Sequence, residues 1–505
     1  MDSDDYRSSY KTLQMNFIKN SQIQFHKVED RFKNEKSEPY YLIRITNYKF
    51  FQNKKHAKSM LNLKLFNILS PKEILINNEE ILIITKDWSQ YRLTEQILHK
   101  QNPKVIRNII LQLALTLNEL SLKNITWNLY SIQQLYLIQE CTFLQLVDLD
   151  DNHFSMNITN LEIFKNFASR YFQQYQQIIQ LDNFEKIIKS LLSQDQGYQI
   201  NQQNHFVLLN FFQVPQIKYG LEDVYTIEFE TPKVFEIVYG IKAKSVQYKC
   251  FDQFRFPKQL LLEYQNRQIE ISEEMSDCSN IVKCLSYLKI FDQVFFFEQR
   301  LTMNISMASQ LLNKQKIDNI KYQRIAYNAI KQIMNGISEF HSKGFMHRNI
   351  SPQTIYLDNE DLEKANFYIG DCEKAKFDDQ GCLGTQQCDI YSYLPPESME
   401  EFTMKSDLYS FGLVSLLILN RGIPLFQFGF LDETEKKKYF SQDYISQKLL
   451  ENNLNYKPDL IQLISQCLSE KQEDRPDTLK VSKKISAIFR NEKIKIMQSA
   501  DFSSK

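Results

Sequence analysis

Hydrophobic positions along the chain follow two rhythms, and strands precede helices in each half. In the first half, alternation predicts a hairpin from Thr12–Ile18 and Ile23–Val28 and a strand over Tyr41–Ile45. A helix near Lys54–Leu69, strands at Ile74–Asn77 and Glu80–Thr85, and helices at Pro103–Leu122 and Leu161–Ile179 follow. In the second half, Val234–Tyr239 and Ser245–Phe251 alternate as strands, Pro257–Met275 is helical, and Leu285–Ile290 and Gln293–Phe297 are strands. From Asn319 to His341, residues Ile320, Ile325, Ala326, Ile330, Ile333, Met334 and Ile337 mark one helical face. Later helices are expected at Lys405–Leu419, Ile445–Glu451, Pro458–Leu468 and Thr478–Phe489. This is an α+β order, with a strand-rich part ahead of a helical part. Polar clusters near 192–204 and the turn-rich stretch from Pro215 to Gly220 divide the chain into 1–215, 216–490 and a tail, 491–505.

Composition narrows the function classes. The 61 basic residues balance the 61 acidic ones, which removes the simplest argument for a nucleic-acid or anionic-membrane partner. Eight cysteines without a C-x-x-C pair or zinc spacing imply reduced thiols in an intracellular, cytoplasmic protein. The start is acidic and polar, unlike a secretory signal, and Asp2 stands where N-myristoylation requires glycine. The longest apolar stretch, Phe411–Leu419, is about half a membrane span, so a soluble chain is expected. Only 11 glycines occur, few for a protein that closes flexible backbone around phosphate.

The chemistry-bearing motifs lie in the second half. Gly344-Phe345-Met346-His347-Arg348-Asn349-Ile350-Ser351-Pro352-Gln353-Thr354 precedes a short apolar run, and Ile369-Gly370-Asp371-Cys372-Glu373 follows. Tyr393-Leu394-Pro395-Pro396-Glu397, Ser406-Asp407-Leu408-Tyr409-Ser410-Phe411-Gly412 and Arg475-Pro476 come next. Together and in this order they resemble the eukaryotic protein-kinase family: its catalytic loop, D-F-G, A-P-E, D-x-W-S-x-G and late Arg. The resemblance covers roughly 220–490. It implies a bilobal protein-kinase-like fold, with Lys249 as the phosphate-orienting Lys, Glu298 in the strand entering the hinge, and Asp371 as a Mg²⁺ ligand.

Measured against that family, the chemistry is depleted. The phosphate-covering glycines would fall near Ile227, Phe229 and Pro232. Gln247 stands where a small residue faces adenine, and Gln268 where a Glu pairs with the Lys. Glu270 could substitute only if its helix turned or slid, and Lys249 reads equally as a solvated strand-end lysine. Asn349 replaces the proton-accepting Asp, a loss of about 10²–10⁴ in rate, or about 3–5 kcal/mol of barrier. Ser351 replaces the transition-state Lys, Thr354 the second metal ligand, and Ile390 a Thr that contacts the catalytic loop. Asp371 reads equally as a loop carboxylate bonded to backbone N–H groups. By the resemblance, His347, Arg348, Glu397, Asp407 and Arg475 keep structural roles.

The first half resembles a further, more degraded copy, with Arg44 at the Lys position, Trp127–Leu135 at the catalytic loop and Leu146-Val147-Asp148-Leu149-Asp150 at the metal motif. An unrelated α+β regulatory module stays open. The triplet Asp148, Asp150 and Asp151 and the run Glu435–Lys438 read as solvated, and Phe295–Phe297 as an alternating core strand. The function expected is a pseudokinase: a scaffold or allosteric protein–protein interaction module, within a larger assembly or at the cytoskeleton. It requires no cofactor, and weak ATP and Mg²⁺ binding is left open. The alternatives are a divergent Ser/Thr kinase with residual ATP binding and phosphotransfer, and a nucleotide-gated switch.

Overall fold

The computed structural model describes residues 10–20, 23–30, 40–45, most of 63–145, 158–193, parts of 218–251, and, with short breaks, 258–377, 393–425 and 433–488. The boundary at 215/216 and the tail 491–505 lie outside these residues.

In the first half, β1 (Tyr10–Asn20), β2 (Ile23–Asp30), β3 (Tyr40–Ile45), β5 (Glu73–Ile76) and β6 (Ile81–Lys86) form an antiparallel sheet in the order β1-β2-β3-β6-β5. Of the expected helix at Lys54–Leu69, residues 46–62 lie outside the description. Its end is instead a short strand, β4 (Ile68–Leu69), parallel to the last strand of the hairpin β7 (Leu135–Ile138) and β8 (Cys141–Gln145). The cause is tertiary. The Asn67 amide donates to Thr142 O at 2.7 Å and to Gln112 Oε1 at 2.9 Å, tying this segment to β8.

Helix α1 (Pro103–Leu122) starts where the sequence places it: Asn102 caps the Val105 N–H, and Pro103 has no N–H to lose. Its residues Ile109, Ile110, Ala114, Leu117 and Leu120 are fully buried. Val105–Leu122 is the one described helix long and apolar enough to cross a membrane, and 72% of it is buried inside the fold. It exceeds Phe411–Leu419, the longest apolar stretch by sequence. The expected helix Leu161–Ile179 is broken into α2 (Asn160–Tyr171) and a short piece at Gln176–Ile179. Phe172 leaves helical geometry (φ −128°, ψ 51°) and its ring is fully buried. Helix α3 (Phe184–Ser193) completes this half.

In the second half, β9 (Lys218–Gly220), β10 (Val224–Glu228), β11 (Val246–Phe251), β12 (Cys284–Ile290) and β13 (Gln293–Gln299) form a sheet ordered β12-β13-β11-β10-β9. Counted from each sheet's own first strand, both five-stranded sheets run 1-2-3-5-4. The expected strand Val234–Tyr239 lies outside the described residues except Val238. Phe295, Phe296 and Phe297 are all 0% exposed. They do not alternate between core and solvent: β13 lies between β12 and β11, and successive side chains are buried alike.

Strand β12 is at the edge of its sheet, and the first half covers it. Leu65 forms a parallel bridge with Tyr287, which is fully buried. Glu119 of α1 pairs with Lys289 at 3.6 Å, and Lys123 lies 5.9 Å from the Tyr287 ring centre. The chain accordingly packs as two compact units, Met1–Arg255 with Cys284–Glu298, and Phe256–Lys283 with Gln299–Lys505.

The second unit is mainly helical: α4 (Lys258–Glu274), α5 (Ile305–Leu312), α6 (Asn319–Ser342), α7 (Met404–Leu419), α8 (Glu433–Tyr439), α9 (Gln442–Glu451), α10 (Pro458–Cys467) and residues 478–488. Five short strands sit among them in two small sheets: β14 (Met303–Asn304), β16 (Ile355–Leu357) and β17 (Phe367–Ile369) in one, β15 (Phe345–Met346) and β18 (Lys376–Phe377) in the other. Helix α6 buries Ile325, Ala326, Ile330, Ile333, Met334 and Ile337 as its pattern predicts. Ile320, in the first turn, is 66% exposed because the buried face begins at Tyr322.

Candidate functional site

Asp407 organises the loop that follows α6. It enters on the first turn of α7, whose start is fixed by a Thr403–Ser406 capping box. Fully buried, its carboxylate accepts the backbone N–H groups of His347 (2.7 Å) and Arg348 (2.8 Å). His341 Nε2 lies 2.9 Å from the same carboxylate, and its Nδ1 is 2.6 Å from Thr478 Oγ1. These bonds hold Arg348 in a left-handed conformation, φ 65°, with its guanidinium against the Phe402 ring. His347 Nε2 donates to Gly370 O at 3.0 Å, while its Nδ1 accepts the Asn349 N–H at 3.3 Å. Burial pushes the His347 pKa down, against the pull of Asp407.

Next in the loop, Asn349, Ser351 and Thr354 are all buried, and the Thr354 hydroxyl closes on the backbone of the other two. The Thr354 hydroxyl donates to Asn349 O at 2.7 Å and accepts the Ser351 N–H at 3.1 Å. Gly370 N donates to Thr354 O at 2.9 Å, so the turn is stitched to the strand end that carries Asp371. Asp371 itself is left-handed (φ 55°, ψ 55°), and its Oδ2 accepts a 2.6 Å hydrogen bond from the Tyr356 phenol.

A divalent cation needs oxygen lone pairs held open toward it. The Thr354 hydroxyl is engaged inside its own turn, and Tyr356 competes with such an ion for Asp371 Oδ2. Nothing in the sequence pattern pointed to Tyr356 or His341. Their partners are set by strand register and helix packing.

Behind the loop, fully buried Arg475 pairs with half-buried Glu397. Arg475 donates to Glu397 through Nη1 (2.5 Å) and Nη2 (2.8 Å), and Ser406 Oγ donates to the same carboxylate at 2.6 Å. Burial pushes the Glu397 pKa up, but the hydrogen bonds from Arg475 and Ser406 outweigh it and leave the carboxyl below its ordinary value.

In the first unit, Lys249 is only 4% exposed, which rules out the solvated strand-end reading. Gln247, two residues away on the same face of β11, is buried too, as is Glu298. In the second unit Gln268 is buried on α4, its Oε1 without a hydrogen-bond partner among the described residues. Glu270 faces outward and pairs with Arg267 at 2.6 Å, so it does not take Gln268's place. Ile227 lies in β10, whereas Phe229, Pro232 and Ile390 lie outside the described residues.

The sequence model of the protein kinase domain family matches residues 230–485. The chain belongs to the protein kinase family. Its kinase domain combines a strand-rich and a helical part in the α+β, bilobal manner of that fold. Relatives are distant. The mouse interferon-induced, double-stranded RNA-activated protein kinase is 25% identical over 34% of this chain and 31% of its own length. The serine/threonine-protein kinase atg1 of Dictyostelium discoideum is 28% identical over 37% and 28%. The CBL-interacting serine/threonine-protein kinase 10 of Arabidopsis thaliana is 25% identical over 37% and 39%. The chain thus spans about a third of the length of these relatives.

Parts of the kinase domain's loop architecture recur in the first half. In the kinase domain, the Asn280 amide donates to Gln332 Oε1 and Phe367 O, and the Phe367 N–H also donates to Gln332 Oε1. In the first half, Asn67, Gln112 and Thr142 form the same set of bonds. The turn after α1 is left-handed at Asn124 (φ 56°), as the turn after α6 is at Gly344 (φ 85°). Trp127 N donates to Asn160 Oδ1 at 2.8 Å, as His347 N does to Asp407. Leu144 bonds to Asn67 O as Ile369 bonds to Asn280 O. Asp371 is two residues beyond Ile369, and two beyond Leu144 is Leu146, not Asp148. Asp148, Asp150 and Asp151 lie outside the described residues.

Proposed function

We propose that this kinase-family chain is catalytically inactive and serves as a scaffold or allosteric partner of other proteins. One observation carries the reading. Where phosphoryl transfer needs a proton acceptor, a cation and a metal ligand, Asn349, Ser351 and Thr354 form a turn bonded to itself. The matching strand orders and the Asn67 and Asn280 networks support a second part of the proposal, that two kinase-like modules stand in tandem. A nucleotide-gated switch is a second reading, favoured by the burial of Lys249.

Incubation of the whole chain with γ-labelled ATP and Mg²⁺ tests the proposal. No label should enter the chain or a general acceptor above the level of an Asn349→Ala variant. Transfer at an ordinary enzymatic rate, lost in Asp371→Ala, sinks it. A thermal-shift titration separates the switch: a rise at millimolar ATP that disappears in Lys249→Ala selects it.

A further inference from the structure

We propose that the Tyr356 phenol occupies Asp371 Oδ2 where a divalent cation would bind, as a built-in latch that weakens cation binding there. The idea rests on the inactive-kinase reading and names the side chain that enforces it at the metal position.

Three features build the latch. The first is the 2.6 Å bond itself, in which Tyr356 O–H donates to Asp371 Oδ2. A hydrogen bond to a carboxylate is stronger than one between neutral groups, so an incoming cation has to displace a good partner. Second, the ring is fixed. Tyr356 lies on β16, paired with Tyr368 of β17, and is 8% exposed. Third, the ring lies against Gly370, where an added Cβ would meet Tyr356 Cε2 and Cδ2 at 2.9 and 3.0 Å. The absent side chain at Gly370 provides the space that the ring occupies.

Tyr136 offers an independent comparison. It lies 220 residues before Tyr356 and opens the same kind of hairpin, with Leu135 opposite Leu144 as Ile355 is opposite Ile369. Tyr136 is also buried, but its hydroxyl accepts from Arg92 Nη2 at 3.1 Å, and the guanidinium lies over its ring. Both tyrosines are tied to a charged group, Tyr136 to a guanidinium and Tyr356 to a carboxylate.

Calorimetric titration of the whole chain with Mn²⁺, repeated with Mg²⁺, tests the latch. Tyr356→Phe removes one oxygen, and its far-UV circular dichroism checks that it folds. The variant should bind Mn²⁺ at least about tenfold more tightly than the unmodified chain, about 1.4 kcal/mol. The gain should vanish in Tyr356→Phe/Asp371→Asn. A folded Tyr356→Phe with unchanged affinity overturns the latch, as does a gain that survives loss of Asp371. If Tyr356→Phe does not fold, Gly370→Ala, which displaces the ring and keeps the hydroxyl, decides by the same titration. None of these results measures phosphate transfer, so the latch can fail while the inactive-kinase reading stands, and the reverse.

Discussion

Arg475 has a side chain with no solvent exposure, yet every arm of its guanidinium is used. It bonds Glu397 twice and the carbonyls of Ser469, Lys405 and Glu470 once each. Removing the guanidinium leaves a half-buried Glu397 carboxylate with only the bonds from Ser406 and Gln472, and three carbonyls without their donor. Arg475→Ala should therefore cost about 3–5 kcal/mol, read as a lower urea midpoint at unchanged slope. A loss below about 1 kcal/mol, the range of exposed pairs, contradicts this. Because the Glu397 pKa is depressed, its contribution is present above the ordinary glutamate range and lost as pH falls through the folded-state value. Glu119 has the opposite sign. Burial raises its pKa, opposed by Lys289 and Lys123. Its contribution is full below the unfolded-state value, about 4.3, and is lost as pH rises through the folded-state value. Glu119→Gln should flatten that slope and leave the chain at least as stable at pH 7, measured by thermal unfolding across pH. Steeper loss in the variant contradicts this. Glu397, Arg475, His347 and Asp407 were legible because each sits in a motif with fixed spacing. Tyr356 and His341 were not, since their roles come from partners brought together by strand pairing and helix packing.

At the scale of elements, long amphipathic helices were the most legible parts of the fold. Pro103–Leu122 agrees with its pattern to the residue, because a cap, an N1 proline and an apolar stripe all point the same way. Short apolar runs were not legible. Ile68–Leu69 reads locally as a helix end, and pairing with β8 makes it a strand. The break at Phe172 is likewise tertiary, since local propensity does not record where a ring will be buried. Close approach of elements also escapes the pattern. An added Cβ at Gly336 of α6 would meet Asn280 O at 2.7 Å and Ile369 Cδ1 at 2.9 Å. Gly336→Ala gains helix propensity of about 1 kcal/mol but must push the Asn280 turn away, and overpacking costs typically about 1–3 kcal/mol. The expected result is net destabilisation in urea unfolding, with a more stable variant as the contrary outcome.

For the whole molecule, the strand-then-helix order read from the sequence corresponds to the α+β kinase fold. It did not reveal that β12 and β13 pack with the first half. A fragment beginning at residue 216 would keep β12 but lose Leu65, Glu119 and Lys123, which border Tyr287 and Lys289. Bared edge strands recruit other chains. The fragment should elute as larger species or precipitate under conditions in which the full chain does not, as light scattering would record. A well-behaved monomeric fragment refutes this. The bridge at Leu65 also bears on biosynthesis. Chains emerge from the ribosome amino end first, so the cover for Tyr287 is made before Tyr287 itself. The early residues are thus at hand to cover the sheet as it forms.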